Sequence, residues 1–287
     1  MNKLLKIVGF PVTSICNLHC AHCLRQHVNR YKDFIWNMSE EQAKHIASKI
    51  QNYTEYVNIS AGYGETFLNP NISSILSTFN DHKIKTIAYT NATTATTERI
   101  FDSHIYLLLL SIDNYHLENN KNNIEQILNN NFNKLHFAEN IHLNVVLHPY
   151  NDETKLIDFA NSLCSRYPDI FAEFHWLMPH EPILKACTPT TNYQELLVSN
   201  KQFMPPSFSY ISQNKCNDIF NSLFFDENGN VRCCCIYMDS IPELNIYEKD
   251  IPSIYNSIYL DEKRQSFVLN NGFAHCSFCP IGHGYIW

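Results

Sequence analysis

Cys16-Asn17-Leu18-His19-Cys20-Ala21-His22-Cys23 constrains this chain more than any other stretch. Three cysteines at C-x3-C-x2-C, directly after a short apolar run, make a compact loop whose thiolates can converge on one soft metal centre. Thiolate clustering suits zinc or an iron–sulfur cluster, and three ligands leave a coordination position open. A structural zinc site closes with a fourth ligand, and His19 and His22 stand inside the loop. What decides between the two chemistries lies in the rest of the chain.

Residues 1–180 alternate between strand-like and helix-like segments. Strands are expected at 5–11, 56–60, 85–90, 104–112, 141–148 and 171–177. The run Leu107-Leu108-Leu109-Leu110 suits a strand buried on both faces. Ser39 and Gln42 have capping-box spacing, and Ala43, Ile46, Ala47 and Ile50 then line one helical face. Further helices are expected at 71–79, 94–102, around Ile124, Ile127 and Leu128, and at 152–165, where Leu156, Ile157, Ala160 and Leu163 share a stripe. Six strands alternating with helices predict an α/β fold of parallel units with right-handed crossovers, with the site at the carboxyl ends of the strands.

The pattern breaks over 181–215, where Pro182, Pro189, Pro205 and Pro206 mark a linker with a short helix at 193–198. Residues 216–287 read as a small second α+β module. Its segments 223–226 and 231–236 flank Glu227-Asn228-Gly229-Asn230, a hairpin turn signal, and 251–269 is helical in pattern.

With 287 residues, 45% of them hydrophobic and 17% charged, the chain has the composition of a soluble globular protein with a sizeable core. A formal charge of −7 and a pI near 6.0 give no basic field for a phosphate backbone, so nucleic acid is not an expected partner. No apolar run approaches the ~20 residues that span a bilayer. The opening Met-Asn-Lys-Leu-Leu-Lys lacks the long apolar core and cleavage site of a signal peptide, so a cytoplasmic location without a membrane partner is expected. There, eleven cysteines, several of them clustered, indicate metal rather than disulfides.

Three strand ends carry polar groups. Gly62-Tyr63-Gly64-Glu65-Thr66 follows the second strand; its glycines allow a close backbone approach, and Glu65 can accept hydrogen bonds from an ammonium group. Thr90-Asn91-Ala92 ends the third strand, where Asn91 either lines a cavity or makes a turn. Ser111 and Asp113 end the fourth strand on one side of it, unless Asp113 instead caps a turn with Asn114. In the second module Cys216, the triplet Cys233-Cys234-Cys235 and the Cys276–Cys279 pair form a metal-site pattern, which a four-cysteine zinc ribbon would also satisfy. Alternation sets Cys233 and Cys235 opposite Cys234. Cys164 lies in a helix and is expected to pack; Cys187 lies in the linker.

The cysteine loop, with His22 as the ring before its last cysteine, resembles the signature of the radical S-adenosylmethionine (SAM) superfamily. The resemblance implies a partial (β/α)6 barrel in which Cys16, Cys20 and Cys23 hold three irons of a 4Fe–4S cluster and SAM chelates the fourth. Gly62, Gly64 and Glu65 resemble the Gly-Gly-Glu-Pro motif that contacts the SAM amino group, although Tyr63 and Thr66 depart from it. Ser111 and Asp113 resemble the ribose-binding pair, and Thr90-Asn91-Ala92 stands where relatives often carry Thr-Asn-Gly. The carboxyl-terminal cysteines resemble the SPASM/Twitch auxiliary-cluster module, with the order found in butirosin-type aminocyclitol dehydrogenases. Counting from Gly229 selects Cys234, so Cys216, Cys234, Cys276 and Cys279 would hold a second 4Fe–4S cluster.

The implied reaction is reductive cleavage of SAM to a 5′-deoxyadenosyl radical, fed by an electron donor such as flavodoxin or ferredoxin. An auxiliary cluster as electron acceptor favours oxidation of a small polyol, an amino sugar or a peptide side chain. The alternatives are peptide epimerisation or crosslinking, for which Cys187, Cys233 and Cys235 are the candidate hydrogen donors, and a non-catalytic zinc or iron–sulfur scaffold.

Overall fold

The alternation read from the sequence becomes a single sheet. The computed structural model describes residues 4–20, 23, 34–61, 64–113, 115–147, 153–176, 218–234 and 240–269. Its first six strands are β1 (Ile7–Gly9), β2 (Tyr56–Asn58), β3 (Lys85–Thr90), β4 (Ile105–Ile112), β5 (Ala138–Leu147) and β6 (Phe171–Trp176). Between them run α1 (Glu40–Ile50), α2 (Ile72–Asp81), α3 (Thr94–Phe101), α4 (Lys121–Asn130) and α5 (Glu153–Arg166). Every neighbouring pair from β1 to β6 is parallel, as the β-α alternation requires.

α1 starts where local chemistry says it should. Ser39 accepts from the Gln42 backbone N–H, while the Gln42 side chain accepts from the Ser39 N–H, which closes the capping box. Its stripe of Ala43, Ile46, Ala47 and Ile50 is fully buried. β4 has Leu108, Leu109 and Leu110 fully buried, which needs cover on both faces of the sheet.

The carboxyl-terminal strands join the same sheet. β7 (Ser222–Phe225) pairs parallel to β1, and β8 (Asn230–Arg232) and β9 (Ser240–Asn245) follow as antiparallel neighbours, in the order β6-β5-β4-β3-β2-β1-β7-β8-β9. Phe225 stacks on Phe10 with ring centroids 4.7 Å apart, tying this addition to the segment that leads into the cysteine loop. The hairpin turn is held by Asp226, whose carboxylate accepts from the backbone N–H groups of Asn228 and Asn230, and by Gly229 at a φ of 81°. The helical pattern at 251–269 is two helices, α6 (Ile251–Tyr255) and α7 (Ile258–Leu269). The expected linker at 181–215 and its short helix lie outside the described residues. No helix among those described is long and apolar enough to cross a membrane.

The two faces of the sheet differ. Val8, Val57, Ala88, Leu108, Leu110, Leu143 and Leu223 belong to one hydrophobic core with the apolar stripes of α1, α2, α4 and α5. The opposite face carries Gly9, Asn58, Tyr89, Leu109, Ser111, His142, Asn144, Glu173, Phe224 and Arg232, which the strand register places in successive rows. Leu109 and Phe224 are buried yet stand outside that core. This inner face is mixed and largely polar: His142 pairs with Glu173 at 2.8 Å, and Arg232 is 2% exposed. Gly9 is required here, because a Cβ would stand 2.3 Å from the Phe224 ring lying across it.

Candidate active site at the strand ends

β1 delivers the cysteine loop, and the loop is tied to its neighbours by backbone. The Ser14 side chain donates to the Phe34 carbonyl at 2.7 Å, and the Glu65 N–H donates to the Ile15 carbonyl at 2.7 Å. Gly64 lies so close to Thr13 that a Cβ there would stand 2.1 Å from the Thr13 carbonyl oxygen. The glycine expected to let the backbone approach a ligand thus also lets two backbone segments approach each other just upstream of Cys16.

Cys16, Cys20 and Cys23 form no disulfide, and each is partly exposed. The Cys20 thiol is pushed up to about 12, first by burial and then by the negative field of Asp113, Cys23 and Cys16. Like-signed groups of the loop and of the end of β4 thus act on the Cys20 thiol, an arrangement that a cationic centre relieves. Among the described residues, no three His, Cys, Asp or Glu side chains crowd closely enough to hold one metal ion together. A 4Fe–4S cubane asks for something else, one thiolate on each of several irons, and this donor set fits that demand.

Glu65 is fully enclosed. Its Oε1 accepts from the Thr90 hydroxyl at 2.7 Å and the Phe67 N–H at 3.3 Å, and Oε2 accepts from the Asn91 N–H at 2.7 Å. The carboxylate thereby clamps the loop after β2 to the end of β3. Burial pushes its pKa up to about 7 against the opposing pull of these hydrogen bonds.

This raised value fixes the sign of a pH effect. Between the ordinary 4.5 and about 7, the folded protein holds a proton that the unfolded chain has released. Stability is therefore fully present below about pH 4.5 and is lost as pH rises through 7, by on the order of 3 kcal/mol. The loss of unfolding free energy from pH 5 to pH 8, read from denaturant titrations, should be smaller by that much in metal-free Glu65→Gln than in the parent. An unchanged difference would assign the pH dependence to other groups.

Asn91 gathers the site. Its Nδ2 donates to Asn17 Oδ1 at 3.0 Å and lies 3.9 Å from Cys16 Sγ, while its Oδ1 accepts from the Thr93 N–H at 3.2 Å. Of the two expected roles, the turn is visible in the bond from the Thr93 N–H. Ala92 follows at a φ of 50°, the left-handed conformation that a glycine at this position would take without strain.

Asp113 does cap a turn, through His116: its Oδ1 lies 2.7 Å from His116 Nδ1 and accepts from the His116 N–H at 3.2 Å. His116 Nε2 meets the Asn91 carbonyl at 2.8 Å. Scattered histidines without ligand spacing gave no reason to single this one out. The available signal was its position three residues after Asp113, the spacing of a cap and its N–H donor.

Ser111 is half-buried on the inner face, beside Asn144. Cys233 packs in the core and Cys234 is half-buried, in keeping with their alternation; Cys164 is buried as expected. His22, Gly62, Cys187, Cys216, Cys235, Cys276 and Cys279 lie outside the described residues.

The family model for the radical SAM superfamily matches residues 10–160, more than half of the chain, from the residue after β1 into α5. The chain belongs to the radical SAM superfamily. A search of curated protein sequences finds no match. Among solved structures, this radical SAM chain resembles Streptococcus suis SuiB bound to S-adenosylmethionine, with a TM-score of 0.68 at 16% identity over 98% of this chain and 72% of that one. SuiB bound to its precursor peptide SuiA gives 0.63 at 14% identity over 98% and 70%. BtrN in complex with AdoMet and 2-DOIA gives 0.47 at 15% identity over 99% and 93%. At such identities the SuiB likeness speaks for the fold, an α/β radical SAM fold.

Proposed function

We propose that this chain is a radical SAM oxidoreductase that dehydrogenates a small polyol, an amino sugar or a peptide side chain. Cys16, Cys20 and Cys23 hold a 4Fe–4S cluster, and SAM lies among Gly62, Gly64, Glu65, Asn91, Ser111, Asp113 and His22. When bound, cluster and SAM supply a one-electron cleavage whose carbon-centred radical abstracts hydrogen from an unactivated carbon. The chain's part is to exclude water, hold the substrate on the inner face and accept the surplus electron. Cys216, Cys234, Cys276 and Cys279 are assigned to a second 4Fe–4S cluster for that last step.

The observation that carries this reading is the path of the hairpin. β8 returns antiparallel to β7, so past Arg232 the chain heads for the level of Ser222, which pairs with Ile7 at the start of β1. Cys234 thus lies towards the amino ends of the strands and the Cys16 loop beyond their carboxyl ends, with the polar inner face between. A substrate on that face would meet hydrogen abstraction at one end and electron removal at the other. The location proposed is the cytoplasm, whose reducing poise keeps the thiols available and supplies a flavodoxin- or ferredoxin-type donor.

The test separates oxidation from the peptide-epimerising alternative. In Cys276→Ala/Cys279→Ala, iron should fall from about eight to about four per chain, and product should vanish while deoxyadenosine still accumulates. Solvent deuterium incorporated at a product carbon, and lost in Cys187→Ala, Cys233→Ala or Cys235→Ala, would instead establish epimerisation with a thiol donor.

A further inference from the structure

Asn91 is pinned on both sides of its α-carbon. Its N–H is held by Glu65 Oε2 and its carbonyl by His116 Nε2, at 2.7 and 2.8 Å. A carbonyl only accepts, so Nε2 donates to it. Nδ1 stands 2.7 Å from Asp113 Oδ1 and 3.2 Å from the Asp113 backbone nitrogen, which donates to it, so the ring is seated on Asp113 from both its side chain and its backbone. Both are buried, His116 at 2% exposure and Asp113 at 5%. With the Asn91 backbone fixed and Oδ1 turned to the Thr93 N–H, the amide points Nδ2 at Asn17 and at Cys16 Sγ. The amide orientation follows from this network, since Oδ1 faces a donor.

We infer that His116 is a positioning residue for the site cluster: seated on Asp113, it holds the Asn91 amide so that an N–H points at the Cys16 sulfur and raises the cluster's reduction potential. The physical reason is charge. The reduced cluster is more negative than the oxidised one, and a hydrogen bond to a ligand sulfur stabilises the reduced form more. A less negative potential eases electron delivery from the donor, and too high a potential weakens reduction of SAM, so a fixed amide sets the balance. This inference rests on the assignment of Cys16, Cys20 and Cys23 to a 4Fe–4S cluster.

The experiment uses the anaerobically reconstituted full chain and reads iron content together with the midpoint potential of the cluster whose EPR signal changes when SAM is added. Two amides dissect the imidazole. In His116→Gln the side-chain nitrogen reaches the place of Nε2 and keeps the bond to the Asn91 carbonyl. In His116→Asn the shorter amide reaches Asp113 only.

Asn91→Ala and His116→Asn should each cut the reduced-to-oxidised ratio at a fixed solution poise about tenfold, a shift of about 59 mV for one electron. His116→Gln should stay near the parent. The double variant Asn91→Ala/His116→Asn should shift no further than Asn91→Ala alone, because both act through one bond. Equal potentials in His116→Gln, His116→Asn and the parent, at equal iron, would overturn the inference and leave His116 a packing residue. Absence of any SAM-responsive cluster in the parent would overturn the cluster assignment itself, a different result read from the same samples.

Discussion

Gly64→Ala should destabilise this protein by about 3 kcal/mol, although it adds one methyl group. The added Cβ would stand 2.1 Å from the Thr13 carbonyl oxygen and 2.7 Å from its carbon. Both are backbone atoms, so no rotamer change relieves the clash. The two segments must part, and parting them strains the 2.7 Å bond from the Glu65 N–H to the Ile15 carbonyl and the clamp that Glu65 makes on Thr90 and Asn91. Thermal unfolding of the metal-free variant should therefore come roughly 6–12 °C earlier. Reconstituted Gly64→Ala should also bind less iron and SAM than the parent, since Thr13–Ile15 leads straight into Cys16. A variant with parental midpoint and parental iron would show that Gly64 and the Thr13 carbonyl do not pack against each other.

Much of this architecture was legible because its causes are local. The Ser39–Gln42 box, the stripe on α1 and the limits of β3 follow from spacing within a few residues, and the structure reproduces them. The legibility ends where distant chain decides. β5 begins at Ala138, three residues earlier than expected, because polar Glu139 and Asn140 extend a strand that its neighbour β4 already aligns. β9 carries Pro242, which argues against a strand in isolation. It is tolerated because β9 is the edge of the sheet, where a missing N–H costs no ladder bond. The pattern at 251–269 hid a break at Asn256 and Ser257, where Asn256 caps α6 and the Ser257 hydroxyl accepts from the Leu260 N–H.

The site divides in the same way. Cysteine spacing and the Gly64–Glu65 pair stand out in the sequence because ligand chemistry restricts both residue type and interval. The sequence marks Glu65 as an acceptor for an ammonium group but gives no sign that its carboxylate also accepts from groups of the chain on β3 and in its own loop. His116 and Asn91 are 25 residues apart, and only the pairing of β3 with β4 makes them neighbours. The parallel pairing of β7 with β1 joins residues more than two hundred positions apart, beyond the reach of any periodicity.

The central claim is that three thiolates at the end of β1 hold the cluster at which SAM is cleaved, and one variant tests it. Cys16→Ala/Cys20→Ala/Cys23→Ala removes every donor that the loop offers a cubane and touches no residue assigned to the second site. The loop is held by bonds from Ser14 to the Phe34 carbonyl and from Glu65 to the Ile15 carbonyl, none of which involves a cysteine, so the fold should persist. The measurement is iron, acid-labile sulfide, zinc and deoxyadenosine on parent and variant, reconstituted anaerobically and supplied with dithionite and SAM. The parent should hold about eight irons without zinc and release deoxyadenosine; the variant should hold about four irons and release none. Zinc in place of iron in the parent, or deoxyadenosine formed by the triple variant, would contradict it.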